Sequence, residues 1–346
     1  MTSTKTVPNV TTLSITQPWN ASNANTSTSP SVVGSRSLDL NGQNIAWLVL
    51  AIFTLLTNCS FLFLISYIKN LRKPSNSFIA SMAVLGILWS AMYIFPRWAL
   101  SSIINNSENW FYCSLTALLG IFFTIVINLH LCLISLDKYI AIIFPFFYLK
   151  HATNYAITIS IGVVWVLPLS IAIIPPLTFR KFSSGACVLV NSNNLAAEES
   201  YFIAVFSILF FVPIICMVFA YSHIFLIANK QLKVLADQDN SQRRFLNIKA
   251  AKYLSIIVGV FLIAWLPYVI FFFALYVGAV RPNLEIIDAL FVLRFLAFSY
   301  PCINPVMYGL LQSDLRKYIN KQMFFRNNRI EMLSTSQFGF SNGRPK

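Results

Sequence analysis

Little in this sequence is equipped for covalent chemistry. Its three histidines are scattered, and His130 and His223 stand inside apolar runs, where a structural or interfacial role is the ordinary one. That dispersal argues against a metal site. No nucleophile stands beside a base, and no phosphate-binding loop is present. Groups suited to non-covalent chemistry are more informative. Arg97 and Arg294 each lie about ten residues outward from the middle of a long apolar run. A guanidinium at that depth either reaches back to an interface or turns inward, where it can grip a carboxylate or phosphate through bidentate charge-assisted bonds. Asp137-Lys138-Tyr139 closes another apolar run with an acid, a base and a phenol in succession.

The elements that position these groups follow from composition. Of 346 residues, 57% are hydrophobic and only 10% charged, against about 25% charged in a soluble domain. Too little charge is available to cover a water-soluble globule. A helix crossing a bilayer needs roughly twenty residues, and long uncharged runs recur. Seven spans are expected at about 45–68, 77–100, 113–136, 155–177, 201–228, 253–279 and 286–310. The fold class is therefore all-α, a seven-transmembrane helix bundle over 44–310. The stretch from Cys113 to Pro145 orients the rest, with Cys113 at one membrane face and Asp137 at the other.

The net charge of +14 does not point to nucleic acid, because its distribution is topological. With the N-terminus outside, Lys69, Arg72, Lys73, Lys138, Lys150, Lys230, Lys233, Arg243, Arg244, Lys249, Lys252 and the basic residues from Arg316 onward all fall inside. This asymmetry is the positive-inside pattern, and it suits contact with anionic membrane lipid or an acidic cytosolic partner. Residues 1–43 are rich in Ser, Thr and Asn and read as a disordered tail. No signal peptide is seen, so the first span is expected to act as an uncleaved insertion signal. Glycosylation sequons at Asn9, Asn20, Asn25 and Asn105 all fall on the outer side. The Asn58 sequon lies within a span and is not expected to be modified. Residues 311–325 carry Leu311, Leu315, Tyr318 and Ile319 on one face and Arg316, Lys317 and Lys321 on the other, an amphipathic helix for the inner membrane surface. Residues 326–346 read as a disordered cytoplasmic tail.

Asn58 is a lone amide in the first span and needs an interhelical partner. Prolines recur inside the fifth, sixth and seventh spans, each removing a backbone hydrogen bond and permitting a kink. Four cysteines lie within spans. Cys113 and Cys187 lie outside, where a disulfide is the natural pairing and two free thiols the alternative.

Taken together, Asn58, Cys113, Asp137-Lys138-Tyr139, Trp165, Cys187, Pro213 with Tyr221, Phe261 with Trp265 and Pro267, and Asn304-Pro305 with Tyr308 resemble a rhodopsin-like (class A) G-protein-coupled receptor. The resemblance covers about 44–322, and the run after Asp137 is most similar to amine-type receptors. It implies a plasma-membrane receptor with no cofactor. Such a receptor binds an extracellular ligand in an outer cavity and engages a heterotrimeric G protein, and arrestin, at its inner face. It also implies switch roles for Asp137, Lys138, Tyr139, Tyr221, Phe261, Trp265, Pro267, Asn304, Pro305 and Tyr308, and a disulfide between Cys113 and Cys187.

The departures are specific. The middle of the Asp-Arg-Tyr pattern is Lys138. The acid of the second span is replaced by Gly86 and the sodium-binding serine by Ile127, so no sodium site is expected. The amine-binding acid, seven residues after Cys113, is Gly120, and the retinal lysine position is Phe298. The usual amine contact and retinal are therefore not expected, and a protonated amine would need Glu198, Glu199, Glu285 or Asp288 in the loops. Arg97, Gly120, Trp265, Tyr268, Arg294 and Phe298 are the expected ligand-binding residues. The arginine pair, if inward, favours an anionic or carboxylate-bearing ligand; pairing of Arg97 with Asp288 is the alternative. A receptor-like protein with weak G-protein coupling, because of Lys138, and a transporter stand as further alternatives. The transporter would want paired intramembrane charges or a repeat, and the sequence has neither. An intramembrane enzyme would want clustered His, Asp or Ser, also missing.

Overall fold

The computed structural model describes residues 42–72, 74, 76–100, 110–178, 195–234, 242–276, 279–280 and 284–311. The expected sites at Asn9, Asn20, Asn25, Asn105 and Cys187, and the expected amphipathic helix beyond residue 311, lie outside them. Ten α-helices are described: α1 (Gly42–Tyr67), α2 (Asn76–Trp89), α3 (Trp110–Ile143), α4 (Pro145–His151), α5 (Asn154–Ala172), α6 (Ile174–Thr178), α7 (Leu195–Phe206), α8 (Val212–Val234), α9 (Gln242–Tyr276) and α10 (Leu284–Leu311). Seven stretches are long and apolar enough to cross a membrane, as expected. In hydrocarbon every main-chain polar group must be satisfied internally, so such runs fold as helices.

Two spans are interrupted by wide turns. α2 continues as a π-helix over Ser90–Ala99 that contains Pro96, and α7 passes into α8 through a π-helix over Ser207–Phe211. The first closes with the Leu100 N–H donating to the Phe95 carbonyl. A π turn re-aims the residues beyond it, and here Tyr93, Arg97 and Trp98 all become buried. α3 runs past the expected span of 113–136. It runs on to Ile143 and breaks at Phe144, because the next helix breaker is Pro145, the first residue of α4.

α3 is the central helix, packed on α2, α5, α8 and α9, and its span is the most deeply buried of the seven. Polar ties run between its neighbours and reveal the reason for otherwise odd residues. The Trp165 indole N–H donates to Ser81 Oγ (3.0 Å), and Ser81 meets His130 Nε2 at 2.9 Å. His130 Nδ1 lies 3.0 Å from the Val126 carbonyl, so Nδ1 donates and Nε2 accepts. The ring is satisfied at both nitrogens, in agreement with a structural role. Asn58 donates to the Thr54 carbonyl and, across to α10, to the Pro301 carbonyl (2.9 Å), which is the interhelical partner its sequence position demanded.

Candidate ligand site and activation switch

At the Cys113 end of the bundle, the two arginines turn inward rather than reaching for an interface. Arg97 is 7% and Arg294 8% exposed, buried by protein rather than by lipid. Their guanidinium carbons lie 5.4 and 4.7 Å from the centre of the Trp98 ring, within cation–π range. Among the described residues neither forms an ion pair, and Arg97 Nη2 is buried with no hydrogen-bond partner. Asp288 and Glu285 are exposed, so the expected alternative of an Arg97–Asp288 tie is not formed. The neighbours that act on Arg97 are Tyr93, Tyr112 and Arg294.

Below this pair lies an aromatic nest. Trp47 of α1 packs on Trp98 (5.4 Å), Phe295 and Phe298. Phe298 in turn meets Trp89, Tyr93, Trp265 and Tyr268. The structure thus brings together Arg97, Trp265, Tyr268, Arg294 and Phe298. Gly120 faces Tyr93 from α3: a Cβ there would sit 2.8 Å from the Tyr93 hydroxyl. Gly86 is constrained in the same way, since a Cβ would lie 2.5 Å from Asn58 Oδ1. The space above each glycine is already taken by a neighbour's polar head.

Midway down the bundle, Trp265 stacks on Phe261 (6.1 Å), which meets Tyr300 and Phe210. Tyr300 donates to Asn304 Oδ1, while the Tyr308 hydroxyl is buried without a partner. Tyr221 donates to Ser135 Oγ at 3.1 Å. Sequence reasoning passed over Asn128, which is fully buried on α3. Its Nδ2 donates to the Leu209 carbonyl (3.0 Å) and the Phe210 carbonyl (3.1 Å), inside the π turn of the fifth span. Pro213 has no N–H, and Leu209 lies four residues before it, so this carbonyl loses its α-helical donor. The signal was present: a lone amide in the third span, and a proline in the fifth with an acceptor to satisfy.

At the opposite end Asp137 is 8% exposed and both its oxygens are engaged. Lys138 Nζ binds Oδ2 at 2.7 Å, and the Tyr148 hydroxyl of α4 donates to Oδ1 at 2.8 Å. Burial first, and then the Asp137 carboxylate, raise the Tyr148 phenol above its ordinary value, so it remains a donor at physiological pH. An arginine fork would want both oxygens; here Tyr148 holds the second. Tyr139 bonds His223 Nδ1 at 2.9 Å, tying α3 to α8.

Seven membrane-crossing stretches, several of them broken by prolines or π turns, carry two buried arginines over an aromatic nest at one end and a satisfied acid–base–phenol cluster at the other, the build of a polytopic helical membrane protein. The sequence of residues 57–308 matches the family model described as 7 transmembrane receptor (rhodopsin family). The chain belongs to that family: it is a G-protein-coupled receptor, a multi-pass membrane protein and not an enzyme. Trace amine-associated receptor 13c of Danio rerio is similar at 29% identity over 312 residues, covering 80% of this chain and 85% of that protein. The D(1)-like dopamine receptor of Oreochromis mossambicus is 28% identical over 313 residues, 82% of this chain and 79% of its own. The 5-hydroxytryptamine receptor 4 of Cavia porcellus is 28% identical over 290 residues, 72% and 71% respectively.

Proposed function

We propose that this receptor recognises an anionic, carboxylate-bearing ligand at its extracellular end and passes the signal to a heterotrimeric G protein at its cytoplasmic end. One observation carries the ligand class: two buried guanidiniums converge on Trp98 with no carboxylate paired to either among the described residues. A planar carboxylate supplies the missing charge and a bidentate fit. The amine ligands named for the relatives do not find the acid expected seven residues after Cys113; of the other outer acids, Glu198 is buried on α7 while Glu199, Glu285 and Asp288 are exposed. Gly120 has no side chain, and the Tyr93 hydroxyl stands over it.

The orientation, N-terminus outside in the plasma membrane, is supported by the inward excess of basic residues, which also favours anionic lipid at the inner leaflet. The disulfide proposed between Cys113 and Cys187 is supported by the bonded state of Cys113 and the free state of Cys59, Cys132, Cys216 and Cys302. At the inner face, α4 exposes Phe146 (87%) and Leu149 beside the Asp137 cluster, an apolar contact for the G protein and, on the same face, for arrestin.

The test is nucleotide exchange on a G-protein panel with a library of small organic acids and amines. An acid should activate, and Arg294→Gln should weaken it by roughly 1.5–3 kcal/mol, on the order of tenfold or more, at unchanged surface expression. Activation by a simple amine, or an acid response indifferent to Arg294→Gln, overturns the ligand class.

A further inference from the structure

We propose that the Arg97–Trp98–Arg294 cluster holds a small inorganic anion, chloride in extracellular salt, whenever no organic ligand is bound. The inference rests on the reading of this cluster as an anion site and adds what neutralises it at rest. Arginine cannot shed its proton in a protein, so a buried guanidinium cannot escape its desolvation cost by becoming neutral. Burying an unpaired charge is among the costliest arrangements a protein can adopt.

Here two such charges share one indole. The negative face of Trp98 offsets part of the cost. It cannot neutralise two cations, which lie no farther apart than the sum of their distances to its centre and repel each other in a poorly screened setting. The other neighbours bring no charge. Tyr93 and Tyr112 are phenols, and Tyr112 spends its proton on the Pro96 carbonyl. Among the described residues, the one full charge acting on Arg97 is the second cation, Arg294. Arg97 Nη2, buried and without a partner among the described residues, is a donor free to bind such an anion.

The walls select for size. Trp47 closes on Trp98 at 5.4 Å and on Phe295 at 5.0 Å, and Arg97, Trp98 and Arg294 are each less than one-tenth exposed. A single-atom ion needs far less room among N–H groups than an organic acid, which must displace it and part the aromatic lid. The anion is thus a resting-state ligand that competes with the activating one, and raising chloride lowers the acid's apparent affinity.

The experiment uses the purified full chain in neutral-lipid nanodiscs, with no organic agonist. Chloride is titrated from zero to physiological concentration against sodium gluconate at constant ionic strength, and thermal unfolding is followed. The wild type should gain roughly 3 °C or more in Tm, saturably. Arg97→Gln and Arg294→Gln should lose the gain; Arg294→Lys, which keeps the charge, should retain it with a higher half-saturation. In case the glutamine variants fold poorly, iodide quenching of tryptophan emission is read on the wild type. It should contain a saturable component that chloride competes away. A Tm indifferent to chloride together with only linear, non-competable quenching overturns the proposal, as does a chloride gain undiminished in Arg294→Gln. Benzoate, titrated in gluconate, separates this result from the ligand reading. Stabilisation by benzoate but not by chloride leaves the acid-ligand site standing and removes the resting anion. Stabilisation by chloride, with no organic acid able to activate, does the reverse.

Discussion

Replacing Asn128 by leucine removes two hydrogen bonds while nearly keeping the side chain's size. The amide ties α3 to the Leu209 and Phe210 carbonyls at the kink of the fifth span, one ring away from Phe261. Interhelical hydrogen bonds in membranes average about 0.6 kcal/mol and reach about 1.7. Two such bonds, one of them to the Leu209 carbonyl that Pro213 leaves short of a donor, amount to roughly 1–2 kcal/mol by that scale. The buried Asn128 Oδ1 has no partner, and leucine relieves that cost, so the net belongs at the lower end. Asn128→Leu therefore shifts the balance between tied and separated helices by a factor of about 5. With Asp137 doubly held and Tyr221 bonded to Ser135, the tied arrangement is the resting one. Unliganded nucleotide exchange should rise by roughly that factor at matched expression. The double-mutant cycle sharpens the reasoning. Pro213→Ala restores an N–H, so Asn128→Leu should cost less in that background. Unchanged basal exchange with a lowered Tm would mean the tie is common to both states. Additivity of the two substitutions would refute the claim that Asn128 answers the missing proline donor.

Three further outcomes are expected. Lys138→Arg should raise agonist-stimulated exchange, and more so with Tyr148→Phe, which frees Asp137 Oδ1 for the second arm of the fork; equal stimulation in all three proteins counts against it. Gly86→Asp should lower Tm by overpacking Asn58, at a cost of about 1–3 kcal/mol, and create no sodium response, since Ile127 offers no oxygen; Tm in sodium against a large organic cation reads this directly. Gly120→Asp alone should fail to confer amine binding because the Tyr93 hydroxyl occupies the space, whereas Gly120→Asp with Tyr93→Ala should admit a radiolabelled amine; binding to the single variant would show that Tyr93 is not the obstacle.

The sequence by itself determined the seven spans, because backbone in hydrocarbon has one way to satisfy itself and the apolar runs are long enough to use it. It also determined that Asn58 must reach another helix, and that Lys138, Gly86 and Gly120 stand where the family carries other chemistry. Only the tertiary structure decided where the arginines point. An α-helical period offers no reason for adjacent Arg97 and Trp98 both to be buried; the π turn through Ser90–Ala99 rotates them in together, and such turns leave no periodic trace in a sequence. The same holds for Asn128, whose partner carbonyls are main-chain atoms 81 and 82 residues away. A main-chain acceptor has no side-chain identity to read, so its pairing with a distant amide exists only once the helices are packed.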